Sequence, residues 1–268
     1  VESLKKLSVE VVVSHDPFCN PDGFDLVHIF HSNFIWNKPL IESCISSGIP
    51  YVVSAIFFNE PVDLSLKDIH NLLTPAKAVI ALSKLESKEL ASIGITHTEI
   101  IPNGVDHSLF YPQNTKKDYA LYLGRLSDPA KGALFAVDAC KKLGIKLITV
   151  GESNNTPYSN YCSENSFHSE YVEHSELPRL YAQASVFICS SLTERQNLGV
   201  LEAAACGTSI VDSVFNRGAD LLPSSIVVNP QKQDELVTAI QNQWAKKNID
   251  HVPSWDDVAQ KIEAVYER

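Results

Sequence analysis

"YALYLGRLSDPAKGALFAVDACKKLGIKLITVG", residues 119–151, reads as strand, loop, helix and strand. Its two apolar runs, "YALYLG" (119–124) and "IKLITVG" (145–151), are continuous rather than alternating, as expected for parallel strands buried on both faces. Between them, Gly124 and Arg125 follow the first run, and Lys131 opens the next helix six positions later. Both cations and the helix N-terminus can therefore converge on one diphosphate; taken alone, each cation also fits an ordinary surface charge.

The same rhythm runs along the whole chain. Upstream lie "VEVVVS" (9–14), "DLVHIF" (25–30), "YVVSAIF" (51–57), "AVIALS" (78–83) and "EIIPN" (99–103); downstream lie "ASVFICS" (184–190) and "TSIVDS" (208–213). A polar stretch, "NTKKD" (114–118), separates the two series. The pattern predicts two α/β domains, each a doubly wound parallel sheet, with ligands at the C-terminal strand ends facing a cleft. The predicted divisions are a short N-terminal domain over 1–112, a C-terminal domain over 113–252 and a terminal amphipathic helix over 253–268, with Ser254 as its N-cap.

At 268 residues the chain has room for two cores. It is 44% hydrophobic and 20% charged, an ordinary globular composition, and no apolar run approaches the roughly 20 residues of a membrane-spanning helix. The first residues lack the basic-then-apolar layout of a signal peptide, so a cytoplasmic protein is expected. The chain contains no methionine, so Val1 is not an initiator. Cys19, Cys44, Cys140, Cys162, Cys189 and Cys206 are scattered, which suggests buried reduced thiols rather than a zinc site or a disulfide framework.

The net charge of −10 argues against a nucleic-acid partner, because phosphate backbones are held by clustered Lys and Arg. All five arginines lie beyond residue 115, so a phosphorylated ligand is expected in that half. Residues 1–115 hold 7 Lys and 13 acids, a net charge of −6 that disfavours direct docking on an anionic lipid surface.

A second constellation is "TERQNLGVLEAAACG" (193–207). Glu194 falls in a loop after a buried strand and Glu202 about one turn into the following helix, so both can face one space. The N–H groups near Leu198 and Gly199, at the helix start, favour an anionic or hydroxyl-rich ligand. Each carboxylate accepts from two hydroxyls of a sugar ring, although a glutamate in the first turn of a helix also merely suits the helix dipole. No GxGxxG follows any strand, which counts against a nicotinamide or flavin site.

"IIPNGVD" (100–106), "GRLSDPAKG" (124–132), "LPRLYAQASVFICSS" (177–191), "ERQNLGVLE" with its "AAACG" tail, and the closing "SWDDVAQKIEAVYE" occur in the order seen in the retaining glycosyltransferases of family GT4, which the chain resembles from about residue 25 to its end. The resemblance implies the GT-B fold, two facing Rossmann-like domains whose C-terminal member binds a nucleotide-sugar such as a UDP- or GDP-sugar, and a last helix that returns to the first domain. It further implies that Arg125 and Lys131 bind the donor diphosphate and that Glu202 binds the ribose. Glu194, with the N–H groups of Asn197, Leu198 and Gly199, would hold the transferred sugar and the diphosphate, and backbone near Tyr171 and Val172 the base. No metal or cofactor is implied; the acceptor is a glycan, a lipid-linked hydroxyl or a protein.

The chain departs from the family pattern in its first domain, where the opening βα unit is missing or reduced. Ile56 and Phe57 stand where many members carry a histidine near the reacting sugar. His31 or His15 could replace that group, and Phe34 and Trp36 either stack an acceptor or pack internally. Two functions follow: an active glycosyltransferase, or a glycosyltransferase-like binding or regulatory subunit that needs a partner chain or a peripheral membrane contact. An unrelated two-domain α/β protein is the third reading.

Overall fold

The computed structural model describes residues 1–31, 35–57, 64–115 and 117–268. They form two compact units, Val1–Gly104 with Trp255–Arg268, and Val105–Ser254.

The first unit begins with a short helix α1 (Glu2–Lys6) and carries four strands, β1 (Val27–Phe30), β2 (Tyr51–Ser54), β3 (Ala78–Ala81) and β4 (Thr98–Ile100), in the spatial order β1-β2-β3-β4, all parallel. Helices α2 (Asn37–Ser47), α3 (Leu66–Leu73) and α4 (Lys84–Ser92) make the crossovers that parallel pairing requires. Side chains alternate across the sheet. Ile29, Val53 and Val79 pack on Ile41, Ile69, Leu72 and Leu90 of those helices. Val52, Ala78 and Ile80 face the other way and meet Val258 and Val265 of α10 (Trp255–Glu267), the terminal helix anticipated from its apolar spacing. A fully buried aliphatic side chain of this kind contributes about 1.5–3 kcal/mol, so α10 completes the core of this unit.

"VEVVVS" (9–14) departs from expectation. It is irregular, Val12 and Val13 are more than half exposed, and the sheet begins at Val27. Strand propensity expresses packing against neighbouring strands, and the described residues offer this run none.

In the second unit the strands are β5 (Tyr119–Leu123), β6 (Leu147–Val150), β7 (Phe167–Ser169), β8 (Ala184–Ile188), β9 (Ile210–Ser213) and β10 (Ile226–Val228), all parallel and ordered β10-β9-β8-β5-β6-β7. The order reverses between β5 and β8. Helices α5 (Ala133–Leu143), α6 (Pro157–Glu164) and α9 (Gln233–Gln243) cover one face through Ala136, Val137, Cys162, Leu236 and Ile240. On the opposite face lie α7 (Leu177–Gln183) and α8 (Leu198–Ala205), with Tyr181, Val200, Leu201 and Ala204 against Leu121 and Phe187. Val105 and Phe110 are buried in this second core, so the unit starts upstream of the polar "NTKKD" stretch. The two strand series are all-parallel α/β sheets, as the apolar runs predict; the end strands β7 and β10 are only three residues long, too short to stand out.

One part-buried polar contact ties α10 to its sheet. His28 on β1 lies 2.6 Å from Tyr266 Oη through Nδ1 and 2.9 Å from Ser54 Oγ through Nε2, with the Phe30 ring stacked on it at 4.4 Å. Desolvation pushes the His28 imidazole down from 6.5 to about 4. The unfolded chain takes up this proton below its ordinary pKa while the folded chain resists it, so stability is lost as pH falls from 6.5 towards 4. Thermal melts at stepped pH should show this acid loss in the native chain and a smaller one in His28→Gln; identical pH dependence in both would contradict the assignment.

Candidate donor site at the strand reversal

The reversal between β5 and β8 sets the C-terminal ends of these two strands side by side, the place where parallel α/β sheets hold ligands. The loop after β5 runs through Arg125 to a single 3-10 turn, Pro129–Lys131, whose N-cap Asp128 accepts the Ala130 N–H at 3.0 Å. Lys131 therefore ends this turn, and α5 starts only at Ala133. Gly132 between them has φ 71°, and a Cβ there would stand 1.9 Å from the Ser190 carbonyl oxygen. Only glycine permits that approach. Ser190 Oγ in turn donates to the Gly132 carbonyl at 2.8 Å, and Leu192 N–H donates to the Ala130 carbonyl at 2.7 Å.

These contacts clamp the two loops together and align their charged side chains. Lys131 Nζ lies 2.8 Å from Glu194 Oε2, and Asn197 Nδ2 donates to the same oxygen at 3.3 Å. Asn197 is also the N-cap of α8, its Oδ1 accepting the Val200 N–H at 3.2 Å. The N–H groups of Leu198 and Gly199 occupy the first turn, where no intrahelical acceptor exists. A cation, a carboxylate and a helix N-terminus thus share one corner, and a diphosphate could displace the carboxylate from Lys131 and sit over the helix end.

The two glutamates have different settings. Glu202, one turn into α8, accepts a 2.8 Å hydrogen bond from the fully buried Tyr181 hydroxyl. Burial raises its carboxyl above the usual range, and the Tyr181 hydrogen bond works against that rise. Tyr181 is braced by Phe110 at 6.0 Å and Phe187 at 5.6 Å, both edge-on. Sequence reading missed Tyr181; its place in "LPRLYAQAS", a polar-tipped aromatic on an otherwise apolar helix face, was the available signal.

Arg125 pairs with Asp128 at 2.9 Å and is more than half exposed. Tyr171 and Val172 follow β7, the strand at the far edge, and Tyr171 is 69% exposed. His31 belongs to the first unit, at the end of β1, where it adopts φ 79° and donates its N–H to the Ser54 carbonyl. Ile56, at φ 44°, is the second residue after β2, and Phe57 beside it is fully buried. Two non-glycine residues with left-handed backbone at neighbouring strand ends mark a locally strained rim. His15 lies in exposed coil, Trp36 is 60% exposed rather than packed in a core, and Phe34 falls outside the described residues.

Comparison with known proteins agrees with this architecture. The profile of the family "Glycosyl transferases group 1" matches residues 117–246. The chain is 24% identical to a phosphatidylinositol N-acetylglucosaminyltransferase subunit of Arabidopsis thaliana, over 81% of this chain and 53% of that protein. An uncharacterized glycosyltransferase of Methanocaldococcus jannaschii is 26% identical over 84% of this chain and 60% of its own length. The chain therefore spans about half the length of the curated relatives it matches. Among solved structures it is similar to sucrose-phosphate synthase of Thermosynechococcus elongatus, with a TM-score of 0.75 at 19% identity over 91% of this chain and 73% of that one. It is also similar to HepE of Anabaena in complex with UDP and glucose, with a TM-score of 0.76 at 16% identity over 91% of this chain and 78% of that one. Both sheets and the family match lead to one conclusion: the chain has the GT-B fold, and its residues 117–246 match the group 1 glycosyltransferase family.

Proposed function

We propose that the chain transfers a sugar from a nucleotide-sugar, a UDP- or GDP-sugar, to an acceptor hydroxyl with retention of anomeric configuration. The carrying observation is the corner formed by Lys131, Glu194 and the start of α8 at the strand reversal. In this reading the bond from the anomeric carbon to the diphosphate breaks and a bond to the acceptor oxygen forms, while the acceptor proton leaves to a base. Negative charge grows on the departing diphosphate. Lys131, Arg125 and the N–H groups of Asn197, Leu198 and Gly199 stabilise it from fixed positions, so the reading calls for no metal.

Glu202, oriented by Tyr181, accepts from the ribose hydroxyls, and Glu194 accepts from hydroxyls of the transferred sugar. The loop at Tyr171 and Val172 receives the base. His31, on the strained rim of the first unit, is our assignment for the acceptor side. The acceptor class is a glycan, lipid-linked or protein hydroxyl. No described helix is long and apolar enough to cross a membrane, and the reading places the protein in the cytoplasm, at most peripheral to a membrane.

A second reading is a binding or regulatory protein that acts with a partner chain. It is favoured by the first unit's four-strand sheet, whose β1 edge ends in the 60% exposed Phe30, and by relatives named as subunits. Slow hydrolysis or transfer of nucleotide-sugar by the purified chain without added metal supports the enzyme; donor binding with no turnover supports the regulatory role.

Lys131→Ala should weaken binding of UDP or GDP by about 1.5–3 kcal/mol, the range for a charged hydrogen bond, and Arg125→Ala should act in the same direction. Calorimetry giving native affinity in folded Lys131→Ala would remove that residue from the diphosphate site.

The glutamates separate by ligand. Glu202→Ala should weaken the bare nucleoside diphosphate and the full donor alike, because both carry the ribose. Glu194→Ala should not weaken the bare nucleotide, because its carboxylate competes with the diphosphate for Lys131, while kcat falls on the order of 10²-fold, as for one lost preorganised contact. Equal loss of nucleotide affinity in both variants, without a selective loss of rate, would reduce the pair to supports of a helix terminus.

A further inference from the structure

Asp212 is a carboxylate inside the second unit's sheet, on β9, with no solvent exposure. Its hydrogen-bond donors are neutral. Asn216 Nδ2 reaches both oxygens, at 3.1 and 2.9 Å, and the Ser213 N–H reaches Oδ1 at 2.8 Å. Burial pushes the carboxyl up to about 6, and the negative charge of Glu194 adds to that push. An acid in this position costs free energy that a small apolar residue would not, so strand packing does not account for it.

What Asp212 holds is the turn that carries Glu194. Asn216, itself 4% exposed, has its amide fixed by Asp212 and accepts the Gly218 N–H on Oδ1 at 3.3 Å. On either side of Asn216 the main chain clasps the main chain of Glu194: the Glu194 N–H donates to the Phe215 carbonyl at 3.1 Å, and the Arg217 N–H donates to the Glu194 carbonyl at 3.0 Å. Ser213 supplies a second tie, donating from Oγ to the Ser191 carbonyl at 2.6 Å and accepting the Phe215 N–H at 3.1 Å. Both backbone bonds of Glu194 therefore end on a turn whose centre is bolted to a buried carboxylate.

We propose that Asp212, acting through Asn216, is a positioning residue that fixes the Glu194 carboxylate beside Lys131 for its work on the transferred sugar. The proposal rests on the reading of Glu194 given above. A carboxylate that must meet developing charge at one height gains from a rigid mount, because a displacement of about 1 Å at a reacting centre can cost about 10²-fold in rate.

Three variants test it: Asp212→Asn, which keeps shape and removes a buried charge; Asn216→Ala, which cuts the link; and the reciprocal double change Asp212→Asn with Asn216→Asp, which restores a carboxylate–amide pair in reverse. UDP-glucose and GDP-mannose serve as donors, with UDP and GDP as the bare nucleotides. In both single variants kcat should fall about 10-fold or more while nucleotide Kd stays within about 3-fold, and the double variant should regain most of the loss. Amide hydrogen exchange should quicken at Glu194 and Arg217 in the single variants, with β5 and β8 as protected as before. Unchanged exchange at those two amides in folded variants overturns the proposal. So does a loss of rate matched by loss of nucleotide affinity and not recovered in the double variant. Glu194→Ala measured alongside separates the two layers. If it keeps full kcat while the Asp212 variants loosen the turn, the role given to Glu194 fails and the anchor stands; if it loses kcat while the Asp212 variants keep theirs, the anchor fails.

Discussion

The ion pair between Lys131 and Glu194, 2.8 Å long, is the contact on which the proposed donor site of the second unit depends. Its partners are 63 residues apart in sequence and meet because the strand order reverses between β5 and β8. The approach is set by a backbone constraint: Gly132, with left-handed φ, lets the loop after β5 touch the Ser190 carbonyl, where any Cβ would collide. Neither side chain is fully exposed, at 27% and 17%, so the pair is partly desolvated yet still open to an incoming anion. In the absence of ligand, each group neutralises the other.

Polar residues beneath this corner behave as mounts rather than ligands. Tyr181 holds Glu202 from a fully buried position inside an aromatic cluster, and Asp212 with Asn216 holds the turn that clasps Glu194. Buried hydroxyls, amides and carboxylates of this kind are tolerated only when hydrogen-bonded, and once bonded they restrict the groups they touch to one geometry. The alanines of α8 at 203, 204 and 205 are buried and small, so the helix and its N-terminus lie close over the sheet.

Much of this was legible in the sequence. The continuous apolar runs at 119–124, 145–151, 184–190 and 208–213 each gave a strand, because burial on both faces leaves no polar alternation to misread. Position was legible too: Lys131 and Glu194 each follow a strand, and the structure sets them in contact. "VEVVVS" misled, since propensity cannot tell whether a neighbouring strand exists. Asp212 was visible only as one acid inside "TSIVDS", and no spacing rule links it to a turn whose backbone it supports. Tyr181 was hidden for a similar reason: its partner Glu202 is 21 residues away, and only the packing of α7 on α8 brings the two together.

The central claim, that a diphosphate takes over Lys131 at the start of α8, is tested most directly by a crystal structure of the chain with UDP or GDP bound. The account predicts phosphate oxygens within hydrogen-bond distance of Lys131 Nζ and of the Leu198 and Gly199 N–H groups, with the ribose hydroxyls on Glu202. A nucleotide bound elsewhere, with Lys131 and Glu194 still paired to each other over an unliganded helix end, would contradict it.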